Sequence, residues 1–236
     1  MMMEKKRFPL RAKCRATFLH LALSLLVFAG VAVWLVVGLY PSFYFNMSGG
    51  VQGLMLMFGV DVVLGPLLTF LVFNPHKRLR EIVSDCLIIG AVQAGALVYG
   101  LYTVYQEHPK LTVLYEYGTA TALTHREVSA EPEWAALPDS AAHSSRVAGV
   151  AWTVFSQPHG KNTYQPPAKA AAVLAKADAA ARRAMSPEEQ AQLAQWEQSH
   201  GQVYVFAVIG KYTGAYVVLD RRFHYLTKIG EKEAGL

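Results

Sequence analysis

Three apolar runs of membrane-spanning length, at 17–40, 51–73 and 82–105, crowd the first half of this 236-residue chain. Each is 23 or 24 residues long, against the roughly 20 that an α-helix needs to cross a hydrocarbon core. No water satisfies peptide groups inside a bilayer, so runs of this kind take helical form. The expectation is a basic lead at 1–16 and a three-helix transmembrane domain at 17–105, followed by a separate domain at 106–236. The first run is broken only by His20 and Ser24, and no small-residue cleavage site follows before Tyr40-Pro41. It reads as an uncleaved anchor.

Charge orients the spans. The net charge of +5 comes entirely from residues 1–106, which hold nine Lys/Arg and four Asp/Glu, whereas 107–236 hold thirteen of each. The basic residues form two clusters, Lys5, Lys6, Arg7, Arg11, Lys13 and Arg15 before the first run, and Lys77, Arg78 and Arg80 between the second and third. The loop at 41–50 has no charged residue. Lys/Arg enrichment marks cytoplasmic loops, so the amino terminus and the second loop read as cytoplasmic and everything after Tyr105 as exported. That distribution argues against a nucleic-acid partner. A mean hydropathy of +0.23 agrees with a bilayer protein. Cys14 and Cys86 both fall toward the cytoplasmic side, so the exported half folds without disulfides.

The exported half reads as a small α+β domain. Residues 110–117 and 147–155 are rich in β-branched and aromatic residues and predict strands. An alanine-rich helix follows Pro166-Pro167 to about Met185. The next starts at Ser186, with Pro187 at its first position and Glu189 closing a capping box, and ends near Gly201, a residue suited to a left-handed cap. Residues 203–209 and 215–219 read as a hairpin around a glycine-flanked connection.

The eight histidines, at 20, 76, 108, 125, 143, 159, 200 and 224, include no i, i+4 pair, and read as solvated surface residues without a metal. No Walker loop or G-x-S-x-G elbow occurs. Asp61 and Asp85 lie on adjacent spans, but residue counting separates their depths by roughly 13 Å, too far for carboxylates that must share a proton. No catalytic residue, cofactor or small-molecule substrate is expected.

The informative residue is Asp61, a carboxylate near the middle of a membrane-length run. An ionisable group at that depth is costly unless paired, hydrated or protonated. Counting from the cytoplasmic ends puts Gln93 at nearly the same level, so a hydrogen bond between the two is expected. Gly59, Gly65, Ala91, Gly95 and Gly100 would let the second and third spans approach closely. Pro66 removes a backbone donor and would kink the helix beside Asp61. Two roles remain open for Asp61: gluing two spans, or meeting a polar group of another membrane protein.

The run GVDVVLGPLLTFLVFNP at 59–75 resembles the type IV pilin accessory proteins of bacterial inner membranes. The resemblance takes in Gly53 at the entry to the second span, Asn74 and Pro75 at its end, the basic loop 77–81, Gln93, and Tyr99 and Gly100. It covers about residues 15–110. The exported half is similar only loosely, and residues 221–230 depart from the further strand with which members commonly close. The resemblance implies a multi-pass inner-membrane protein that stabilises or chaperones a pilin subunit before pilus assembly. The pilin would be engaged through its transmembrane helix and its head, with Asp61, Gln93, Gly59, Gly65 and Pro66 as the intramembrane contact residues. The rival readings are an intramembrane hydrolase using Asp61 and a membrane sensor whose periplasmic domain binds a ligand.

Overall fold

The computed structural model describes residues 10–233, so Lys5, Lys6 and Arg7 of the basic lead lie outside the described residues. The chain forms two compact units, one of residues 10–34 with Val51–Thr103, the other of Leu35–Gly50 with 104–233.

The first unit is helical. Helix α1 runs Leu10–Trp34 and continues as a π-helical turn, Leu35–Leu39, which already belongs to the second unit. After the short α2 at Tyr44–Met47 come α3 (Gly50–Met57), a π-helical segment (Phe58–Leu64) and α4 (Gly65–Val72), forming one continuous rod. Helix α5 spans Leu79–Glu107. By length and composition the helices Leu10–Leu39, Gly50–Val72 and Leu79–Glu107 can each cross a membrane. Both π segments end against a proline, Pro41 or Pro66. A proline has no N–H with which to close the preceding turn, and the chain answers by widening. The Tyr40 N–H reaches back five residues to the Leu35 carbonyl, and the Gly65 N–H to that of Val60. The adjustment beside Asp61 is thus a π bulge.

The second unit is a curled sheet domain with strands β1 (Pro109–Leu114), β2 (Thr119–Thr124), β3 (Ser145–Val147), β4 (Val150–Ser156), β5 (Thr163–Gln165), β6 (Tyr204–Ile209), β7 (Thr213–Leu219) and β8 (Tyr225–Glu233). Their order is β3-β4-β1-β2-β6-β7-β8, with β5 also on β4. The pairs β1/β4 and β2/β6 are parallel and the rest antiparallel. The crossover from β2 to β4 carries α6 (His125–Ala130) and α7 (Pro132–Ala135); the route to β6 carries α8 (Ala171–Ala184) and α9 (Pro187–His200).

Several local expectations are refined. The strand at 147–155 is two strands, because Ala148 and Gly149 take positive φ (48° and 86°) and turn β3 into β4. Two left-handed residues in a row suit the twist of a tight hairpin. A strand does close the domain, since β8 pairs along β7 although 221–230 depart from the family pattern. Gly201 caps α9 with φ 75°, but its ψ of −151° lies outside the left-handed helical well.

The largest difference concerns 35–50, expected as the end of a span and a loop. Tyr40, Phe43, Tyr44 and Met47 are at most 3% exposed, and Phe43, Tyr44 and Met47 sit in the sheet domain's own core with Trp152, Phe206 and Val217. The uncharged loop is apolar because it is core.

Candidate functional site

Within the helical unit, polar side chains from three helices meet at one glycine. His20 on α1 is joined through Nδ1 to Thr69 Oγ1 of α4 at 2.6 Å. One turn before Thr69, Gly65 is buried, and a β-carbon there would fall 1.9 Å from Gln93 Nε2 of α5 and 3.2 Å from His20 Nε2. Hydrogen in place of a side chain therefore admits the Gln93 amide to the surface of α4, beside the imidazole. Pro66 and Thr69 of α4 are buried as well. An open cleft of about 410 Å³ adjoins these groups, lined among others by Leu19, His20, Leu23, Thr69, Ile89 and Gln93.

Asp61 lies in the π segment, half-buried, and no hydrogen bond joins it to Gln93. Among the described residues it has no hydrogen-bond or ion-pair partner. Residue counting assumes that helix ends are level; the structure instead brings Gln93 opposite Gly65, four residues nearer the α4–α5 connection. Asp85 is paired with Lys77 Nζ at 2.5 Å, and no bond links it to Asp61.

The glycines divide into two sets. Gly65 is at a real close approach and Gly100 at ordinary contact distance, with a would-be β-carbon 3.6 Å from Met57 Cγ, whereas Gly59 and Gly95 face open space. Gly53 is half-buried on α3, and Tyr99 is 73% exposed on α5. Asn74 ends the α4 rod: its side-chain oxygen accepts the His76 N–H at 3.1 Å, ahead of the turn that Pro75 enters. At the same end, the Lys13 ammonium donates to the Phe70 carbonyl at 3.2 Å, a cation on carbonyls that the helix leaves unpaired.

Sequence reading passed over His20 and Thr69. The signal was present, since His20 is the one histidine, acidic or basic residue inside the first apolar run, and the reasoning applied to Asp61 applies equally to it. Thr69 carried no such mark, because a threonine can satisfy its hydroxyl on its own helix. Among the described residues no cluster of three His, Cys, Asp or Glu side chains could hold a metal ion.

No family model matches the chain, and no solved structure matches it. Three relatives from Dichelobacter nodosus do. The fimbrial assembly protein of serogroup I is 36% identical over 137 residues, 58% of this chain and 52% of that protein. That of serogroup E1 is 34% identical over 137 residues, with the same coverage. That of serogroups C1 and C2 is 36% identical over 126 residues, 53% of this chain and 94% of that protein. The chain thus spans about half the length of the first two and nearly all of the third. With three membrane-length helices and more than a third of residues shared across almost the whole of one such relative, the chain belongs to the fimbrial assembly proteins.

Proposed function

We propose that this protein sits in the bacterial inner membrane with three spans, its amino terminus and the α4–α5 connection in the cytoplasm and its sheet domain in the periplasm. There it stabilises a type IV pilin subunit before the subunit enters the pilus. The charge pattern supports the orientation, with Arg11, Lys13 and Arg15 before one span and Lys77, Arg78 and Arg80 in the α4–α5 connection. The relatives' role in fimbrial assembly supports the pathway. The observation that carries the reading is the polar group of His20, Thr69 and Gln93 at Gly65, beside an open cleft between apolar helices. No residue in the most apolar stretch of α5 is fully buried within the chain, which leaves a long face for lipid or for a client helix. The role assigned is binding, with no catalytic step and no cofactor.

Deleting the gene and measuring the steady-state level and surface assembly of each pilin tests this. One pilin should disappear or fail to assemble while its transcript persists. Normal pili with every subunit stable would refute the proposal.

A further inference from the structure

We propose that the cleft beside Gly65 receives a carboxyl group carried on an apolar membrane helix of a partner protein, with His20 and Gln93 as its hydrogen-bonding contacts. The inference rests on the reading above and supplies the chemistry of recognition that it lacks. Thr69 occupies only one imidazole nitrogen of His20. The other, and the Gln93 amide nitrogen, both point to the surface of Gly65, and among the described residues neither has a hydrogen-bond partner. Polar groups left unpaired at hydrocarbon depth are expensive, and a partner that answers them gains what the free protein forgoes.

The cleft selects the ligand. Its lining contains no Asp, Glu, Lys or Arg, and its only titratable groups are His20 and Cys86. A cation would find no counter-charge there. A carboxyl group finds an imidazole nitrogen, which can donate or accept a hydrogen bond, and an amide donor beside it. The remaining lining is apolar, including Leu19, Leu23, Phe73 and Ile89, and it draws on about two turns each of α1 and α5. Such a trough suits the ridge of a single helix. It lies toward the end of the bundle that carries Lys13 and Lys77, so in the proposed orientation the partner's carboxyl sits near the cytoplasmic end of its span.

The test uses the full chain in lipid bicelles and two synthetic apolar peptides of about 22 residues, identical except for Glu or Leu at the fifth position. Energy transfer between labels should show the Glu peptide binding about tenfold more tightly. That preference should vanish in His20→Phe and in Gln93→Leu, each first checked for the wild-type melting profile. A photo-crosslinker beside the Glu should attach to 16–23 or 86–93 in the unmodified protein, a result independent of how the variants fold. Equal binding of the two peptides, a preference that survives both substitutions, or crosslinks confined to other segments would overturn the inference. Displacement of both peptides alike by oleate, with no Glu preference, would assign the cleft to a fatty acid and overturn it too. If the Glu preference holds but no pilin depends on the gene, only the pilus reading fails. If a pilin depends on the gene but the preference is absent, only this inference fails.

Discussion

The Trp152 indole N–H donates to the Tyr44 hydroxyl at 2.6 Å, joining residues 108 apart in the chain at the centre of the sheet domain's core. The same hydroxyl shares a 2.7 Å hydrogen bond with Thr112 Oγ1. Tyr44, Thr112 and Trp152 are all 0% exposed, so none can turn to water if a partner is lost. Burial also raises the Tyr44 hydroxyl above the usual tyrosine range.

Tyr44→Phe should therefore destabilise the protein by about 1–3 kcal/mol, the cost of leaving buried donors unpaired. Thermal melting followed by tryptophan fluorescence measures it. Because the folded-state pKa is raised, the Tyr44 contribution is complete below the unfolded value of about 10 and is lost as pH rises above it. Wild type and Tyr44→Phe should differ at pH 7 and converge in strong alkali.

The sheet domain should not fold from residues 104–236 alone. That fragment lacks Phe43, Tyr44 and Met47, all from the α1–α3 connection and all in the main core. Losing large buried side chains costs about 2–5 kcal/mol each, comparable in sum with the whole stability of a domain. Residues 35–50 supplied in trans, or fused through a flexible linker, should restore a cooperative melt and abolish dye binding to exposed apolar surface. A cooperative melt from the bare fragment would show that the core does not need them.

Gly65 and Gln93 should behave as one unit. A methyl group at position 65 meets the far end of a flexible side chain, so Gly65→Ala should fold with Gln93 displaced. Gly65→Leu should push the amide out altogether and, on the proposed function, should lower pilin levels, with Gln93→Leu expected to do the same. The effects should be non-additive, with the double variant close to either single one, a coupling on the order of 1 kcal/mol in a double-mutant cycle. Additive losses would separate the two residues.

Acid sensitivity should centre on Glu189, which is 6% exposed. Its carboxylate accepts the Ser186 N–H at 2.7 Å and pairs with Lys232 at 3.2 Å. The Ser186 backbone donor chiefly, and Lys232 with it, hold the carboxyl below its usual range. A depressed pKa adds stability above the unfolded value of about 4.3, and that stability is lost as pH falls through the folded value. Glu189→Gln should lower the melting temperature by about 2–4 °C at pH 7, and the gap should close in strong acid.

Local chemistry carried a good part of this architecture. The three long helices follow from run length against bilayer thickness, whatever the rest of the chain does. The start of α9 follows from Ser186, Pro187 and Glu189, which satisfy the first turn among themselves. The hairpin of β6 and β7 follows from two apolar segments joined by a glycine-flanked turn. Tertiary structure alone decided that Phe43, Tyr44 and Met47 complete a core whose other walls lie more than 60 residues away, because burial depends on what packs against a side chain and not on its neighbours in sequence. It alone decided that Gln93 meets Gly65 and His20 rather than Asp61. Which residues face one another between helices depends on relative offset and rotation, and the π turn before Pro66 shifts both in a way that counting along an ideal helix does not contain.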